Sequence, residues 1–154
     1  MPDDALITAL HGLIERSETS FGILVLEVSV ENILPLVQRL RGEHGFELFL
    51  DVTAIDHPRR LPRFDVVYHF YSRRLNRRVR LKTAVSEERP VVPTLAHLYG
   101  SARYMERELH DMYGIVAEGN DDLRPILLYE GFSGHPLRKD YAMDAEQPIV
   151  PYRE

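Results

Sequence analysis

The 154-residue chain contains no cysteine. That absence removes disulfides, thiol catalysis, cysteine-ligated zinc and nearly every mode of iron–sulfur ligation. If the protein serves electron transfer, the clusters belong to other chains. Long apolar runs are missing too: none approaches the ~18 residues that a bilayer span needs. There is no basic excess, because the net charge is −5, and nucleic-acid-binding domains usually run basic. The first residues, Met-Pro-Asp-Asp, carry acid where a secretory leader carries base, which predicts an unexported, cytosolic protein. No G-x-S-x-G, G-x-G-x-x-G or Walker-type loop occurs, so direct NADH binding by this chain finds no support.

What is present reads as one soluble globular unit: 44% apolar and 28% charged residues in a chain long enough for a single core. Asp3 to Arg16 places Leu6, Leu10, Leu13 and Ile14 on one helical face. Ile23 to Val30 predicts a strand with Leu24, Leu26, Val28 and Val30 on one side. A helix follows from about Ile33 to Arg41, with Asn32 as its N-cap and Pro35 in its first turn. Phe46 to Ile55 predicts a strand with Phe46, Leu48, Leu50 and Val52 in register. Phe64 to Tyr71 and Arg78 to Thr83 read as a hairpin; Val79, Leu81 and Thr83 face one way, Arg78, Arg80 and Lys82 the other. Pro90 and Pro93 punctuate a loop, Thr94 caps a short helix through Leu98, and a helix runs from Ala102 to Tyr113, closed by Gly114. The order predicts an α+β fold in two layers, helices on one face of a mixed, mostly antiparallel sheet.

From Ile115 onward the periodicity stops. Residues 1–114 are expected to form the globular domain and residues 115–154 an extended, partner-binding tail. Pro125, Pro136, Pro148 and Pro151 break long elements. Yet Ile126, Leu127, Leu128, Tyr129, Phe132, Leu137, Tyr141, Ile149 and Tyr152 are too apolar for a solvated tail. Each gains roughly 1.5–3 kcal/mol on full burial. The tail therefore either wraps its own domain or docks on another chain.

Two long stretches carry a family likeness. Glu106-Arg107-Glu108-Leu109-His110-Asp111-Met112-Tyr113-Gly114-Ile115 resembles the E-R-E-x-x-D-M-F/Y-G-I signature of the 30-kDa-type subunit family of NADH:quinone oxidoreductase, respiratory complex I. Gly134-His135-Pro136-Leu137-Arg138-Lys139-Asp140-Tyr141 resembles the same family's G-H-P-L-R-K-D-Y. Asp51 to Asp56, Arg63 to His69 and Arg80 to Thr83 add shorter similar pieces. Between the motifs the chain departs from the usual G-H-P-x-L-R-R-I-L, reading Gly119 to Leu127 instead, and Tyr129-Glu130-Gly131-Phe132-Ser133 replaces a more usual W-E.

The resemblance implies a non-catalytic subunit of a proton-translocating complex, placed in the peripheral arm at the cytoplasmic face of the inner membrane. It implies two partners, a cluster-bearing subunit and a quinone-site subunit. Iron–sulfur clusters, flavin and quinone would sit in partners, with no cofactor in this chain, and membrane contact would come only through the complex. Related subunits serve membrane-bound hydrogenases and the ferredoxin-dependent photosynthetic complex, and the donor and quinone stay open.

Each motif also has a plainer reading. Arg107–Asp111 and Glu106–His110 are i,i+4 pairs, and Glu108–Asp111 is i,i+3. They suit a metal or acid–base site, a self-paired helix surface, or an interface helix. A di-metal bundle needs Glu-x-x-His from two helices, and that spacing is absent. Arg138, Lys139, Asp140 and Tyr141 read as a contact with a partner's acidic loop, or else as a solvated turn. His135 fixes the turn before Pro136. The expected interface thus comprises Glu106, Arg107, Glu108, Asp111, His135, Pro136, Leu137, Arg138, Lys139, Asp140 and Tyr141. Finally, Arg73, Arg74, Arg77, Arg78, Arg80 and Lys82, near Tyr68, Phe70 and Tyr71, are compatible with an independent module for single-stranded nucleic acid, or with a solvated sheet face. The acidic balance and the lack of a known RNA-binding motif argue for no nucleic acid.

Overall fold

A computed structural model describes residues 3–147. Pro148, Ile149, Pro151 and Tyr152 of the expected tail lie outside the described residues. The order is α1 (Asp3–Ala9), β1 (Arg16–Ser20), β2 (Ile23–Glu27), a 3-10 turn (Val30–Asn32), α2 (Ile33–Gly42), β3 (Leu48–Asp56), β4 (Phe64–Ser72), β5 (Arg77–Val85), β6 (Val91–Pro93), α3 (Ala102–Tyr113) and β7 (Val116–Glu118). Five strands form one sheet in the order β1-β2-β5-β4-β3. Only β2 and β5 run parallel; the other neighbours are antiparallel. This is the α+β arrangement read from the sequence.

The core lies where the apolar stripe of α2 (Ile33, Leu36, Val37, Leu40) and Leu6 and Leu10 meet the inner sheet face. Val79, Leu81 and Thr83 of β5 are buried as the alternation requires, opposite Phe70, Tyr68 and Val66 of β4. α3 packs against β3, covering an edge that would otherwise offer unpaired backbone to another strand. Gly114 closes α3 at φ 71°, its N–H donating to His110 O at 2.8 Å, a position where a left-handed residue stops the helix.

Four expectations need correction. The first helix ends at Ala9, not Arg16, and Arg16–Ser20 is a strand. That strand has no apolar alternation to reveal it; its register comes from pairing with β2 around a turn in which Phe21 and Gly22 both have positive φ. Leu48 and Leu50 do not join Phe46 and Val52 inside. They are 36% and 37% exposed while Phe49 is 6% exposed, because a bulge between Phe49 and Asp51 shifts the pairing by one residue and reverses which parity faces the core. Asn32 makes no side-chain capping bond. Thr94 Oγ1 does accept from Ala96 N–H at 3.1 Å, but the segment after it is a single turn rather than a helix.

The expected tail also begins later than Ile115. Ile115 and Ala117 are buried, and Val116–Glu118 pairs in parallel with Val91–Pro93. The segment containing Pro90 and Pro93, expected as a loop, supplies that partner strand; three residues of pairing are too few to show a period.

The bulge makes a sharp prediction for two adjacent side chains. Phe49→Ala should cost about 3–5 kcal/mol in urea unfolding, and Leu50→Ala less than about 1 kcal/mol. Equal losses would mean that the strand's parity is not reversed.

Candidate partner interface

α3 carries two buried acids, and both bind the chain's own backbone. Glu106 is 1% exposed. Its carboxylate accepts from Thr94 Oγ1 at 2.6 Å, Leu95 N–H at 2.6 Å and Asn120 Nδ2 at 2.8 Å. Burial raises its proton affinity, and these donors oppose the rise. Glu106 was expected at a partner interface; its position leaves no surface to offer one.

Asp111, one and a half turns later, is 4% exposed. Its Oδ2 accepts the N–H groups of Ile126, Leu127 and Leu128 at 2.9, 2.9 and 3.2 Å. Burial alone would raise this carboxyl, but the three backbone donors hold it below the ordinary carboxylate value. Arg107 completes the clamp, donating from Nε and Nη2 to the carbonyls of Arg124 and Pro125, each at 2.8 Å. Arg107 and Asp111 therefore do not pair with each other as their spacing suggested. Each reaches outward from the helix to grip one side of the same tail segment.

The second motif caps the end of α3. The last carbonyls of a helix lack partners within it. Asp111 O accepts from His135 Nδ1 at 3.0 Å, Met112 O from Leu137 N–H at 3.1 Å and Tyr113 O from Arg138 Nε at 2.7 Å. Because a carbonyl only accepts, Nδ1 of His135 carries a proton. A cation such as Arg138 also suits the negative end of the helix dipole. Gly114 is required by contact as well as by φ: a Cβ there would overlap the His135 ring and lie 2.8 Å from Arg138 Nη2. His135 thus seats the motif on the helix, a different task from fixing its own turn. Tyr141 closes the motif, its ring 6.2 Å from Phe132 and its hydroxyl accepting from Gln147 Nε2 at 2.6 Å.

A buried guanidinium joins this region to the sheet. Arg63, at the entry to β4, donates to both oxygens of Asp56 at 2.7 and 2.8 Å. It also reaches Glu87 Oε1 at 2.6 Å and Asp140 Oδ2 at 3.0 Å. Lys139 N–H donates to Asp56 Oδ2 at 2.7 Å. The Arg63 hydrogen bonds hold the carboxyls of Asp56 and Asp140 below their ordinary value and outweigh burial. Arg138 and Asp140 were expected to meet a partner's acidic loop. Their charged groups are instead engaged at home, and Arg63, Asp56 and Glu87 were not anticipated. Arg63 and Asp56 do fall in the shorter family-like pieces, but a pair seven residues apart across a hairpin has no linear signature.

Backbone groups of the tail and the Arg138 guanidinium thus bind its own domain, and several of its apolar side chains face out. Ile126 is 39% exposed, Leu127 60% and Leu137 48%. Tyr129, Met143 and, on α3, Tyr104 are exposed as well. Of the remaining expected interface residues, Glu108 and Lys139 are exposed and Pro136 is half-buried. Among the described residues no cluster of three or more His, Cys, Asp or Glu side chains is arranged to hold a metal ion, and no helix is long and apolar enough to cross a membrane.

Comparison with known proteins identifies the family. The family model for the respiratory-chain NADH dehydrogenase 30 Kd subunit matches residues 26–147. The chain is 45% identical to the C subunit of the NADH-quinone oxidoreductase of Sinorhizobium medicae over 137 residues, 88% of this chain and 68% of that protein. It is 41% identical to the equivalent NADH-quinone oxidoreductase protein of Rhodopseudomonas palustris over 140 residues, 90% of this chain and 68% of that protein. Among solved structures, a trypsin-resistant fragment of Nqo5 superimposes with a TM-score of 0.66 at 31% identity, over 70% of this chain and 89% of the fragment. A chain of the membrane-bound sulfane sulfur reductase, an archaeal respiratory membrane complex, shares the fold at TM-score 0.72 and 22% identity, over 91% of this chain and 83% of that one.

Removing Arg63 tests the anchorage. Arg63→Ala leaves Asp56 buried without its cation, so urea unfolding should show a loss of about 3–5 kcal/mol, and trypsin should cut at Arg138 and Lys139 sooner than in the parent chain. Unchanged cleavage would separate the tail from the network. Acid should act the same way. The folded state holds Asp56, Asp111 and Asp140 below the ordinary value of 3.8, so their stabilisation is complete above that value and is lost as pH falls through the folded values. Hydrogen exchange of the amides around Arg138 and Lys139 should therefore rise below about pH 4, once corrected for the intrinsic effect of pH on exchange.

Proposed function

The chain belongs to the 30-kDa subunit family of the respiratory-chain NADH dehydrogenase, and from that premise we propose that it holds two neighbours of the complex in register without chemistry of its own. The neighbours are a subunit bearing an iron–sulfur cluster and a subunit lining the quinone site. Flavin, clusters and quinone reside in such partners, and this chain sits in the peripheral arm at the cytoplasmic face, touching the membrane only through the assembly.

The observation that carries the reading is the inverted polarity of residues 124–141. Ordinarily an irregular segment shows its polar groups to water. Here the backbone amides and carbonyls, with the Arg138 guanidinium, are spent on α3, leaving Ile126, Leu127 and Leu137 outside. A backbone held by Asp111 and Arg107 has little freedom left to lose on docking, so the apolar burial is not offset by a large ordering cost. Such a patch suits a permanent contact. Holding a donor subunit and a substrate subunit at fixed separation matters because reactive sites tolerate little displacement. The archaeal complex shares only the fold at its level of identity, so it lends no separate weight to a hydrogenase-linked or ferredoxin-dependent assembly.

Ile126→Asp combined with Leu127→Asp is the direct test. The isolated variant should melt within a few degrees of the parent, as exposed substitutions do, while native mass spectrometry of the purified complex should show the subunit missing. Turnover per fully assembled complex should be unchanged. Normal assembly of the variant would rule out docking through this patch.

A further inference from the structure

We infer that the outer face of the sheet is a second docking surface, for an acidic, amphipathic segment of a neighbouring protein chain. It is independent of the tail contact, since it lies at the opposite end of the β3–β4 hairpin from Asp56 and Arg63. Leu48 and Asp56 are the two ends of β3, roughly 26 Å apart at the usual rise of a strand.

The register builds this surface in rows. Leu48 pairs with Tyr71, Tyr71 with Arg78, and Ile23 lies beside Arg78 because Leu24 pairs with Val79. Four strands thus contribute Ile23, Arg78, Tyr71 and Leu48 to one row. The bulge turns Leu50 out beside them, and together they line an open hollow of about 640 Å³. The next row is Arg80, His69 and Asp51, with Val25 beside Arg80 but covered. Successive same-face residues on β5 stand roughly 7 Å apart, so Arg78, Arg80 and Lys82 form a basic stripe leading away from an apolar hollow.

Two observations say that the stripe is unfinished within the chain. Arg78 and Arg80 make no ion pair among the described residues, and Arg80 Nε is buried with no hydrogen-bond partner among them. A buried donor without an acceptor is costly, and turning the Arg80 side chain outward to a carboxylate brought by a partner would satisfy it. The stripe also bears on His69: burial and then Arg80 lower its proton affinity against the opposing pull of Asp51, and Arg78 adds to the lowering, so the ring adds no fourth cation.

Charge and shape choose among anionic partners. Single-stranded nucleic acid needs a run of aromatic faces for its bases, but Tyr68 and Phe70 point into the core, which leaves Tyr71, its hydroxyl tied to Asn76 Oδ1 at 2.7 Å, and Phe21 alone on the β1–β2 turn. Asp51 and Glu27 flank the stripe on β3 and β2, and they would repel a continuous sheet of phosphates. A short peptide with spaced carboxylates avoids them, placing its acids on Arg78 and Arg80 and its apolar side chains in the hollow.

The test replaces Leu48 with a photoreactive benzoylphenylalanine in the full chain, expressed in its native cells and irradiated in the assembled state. A parallel chain carries the photoreactive residue at Leu127, which reports the tail contact separately. The Leu48 cross-link should map to a segment of a neighbouring subunit rich in Asp or Glu and apolar residues. Arg78→Glu with Arg80→Glu should reduce its yield roughly tenfold, as expected for close interfacial charge pairs, and leave the Leu127 cross-link unchanged. No cross-link at Leu48, a product with lipid, nucleic acid or a second copy of this chain, or a yield indifferent to the charge reversal would each overturn the inference.

Discussion

A single buried guanidinium connects the parts of this molecule that its backbone leaves apart. Arg63 meets Asp56 at the end of β3, Glu87 beyond β5 and Asp140 in the tail. Charge buried this deeply is tolerated only when fully paired and hydrogen-bonded. That condition makes the arrangement mutual: the hairpin holds Arg63 in place, and the tail must arrive to complete its shell. Phe64 lies under both Arg63 and Arg138, at 5.1 and 5.2 Å from their guanidinium carbons, so the two cations share one aromatic platform.

α3 extends the same logic along its length. Glu106, Arg107 and Asp111 would look like an interface on a helical wheel drawn in isolation. In the fold they hold two stretches of the chain: Glu106 the turn after β6, and Arg107 and Asp111 the single tail segment from Arg124 to Leu128. The helix is therefore an internal spindle. Beside its own exposed Arg103, Tyr104 and Glu108, the outside sees the apolar surface of the segments wound on it.

The legible parts of the sequence were those governed by local period. The stripe of α2, the alternation of β5 and the glycine stop of α3 could all be read from neighbours a few residues apart. β1 stayed hidden because Arg16 to Ser20 has no apolar face, and β6 and β7 because three residues carry no pattern. The bulge near Leu50 was invisible for a different reason: one inserted residue leaves composition untouched and changes only which side each later residue faces. The two signature stretches revealed which residues matter but not where they point. Read linearly, Arg138 and Asp140 look like free charges, since their partners Tyr113 and Arg63 lie 25 and 77 residues away.

The parallel pairing at the heart of the sheet bears on how the chain emerges from a ribosome. Leu24 and Leu26 are flanked on one side by Val79 and Leu81, which are made more than fifty residues later. Until β5 is clear of the exit tunnel, β2 has only its hairpin mate, and the greasy stripe of α2 has half a floor to rest on. The nascent segment through α2 must wait in an incomplete state, exposed to chaperones and to its own copies. The segments that Arg63 and Asp111 capture, at Asp140 and at Ile126 to Leu128, are translated after the sheet strands, so here the order of synthesis is also the order of closure.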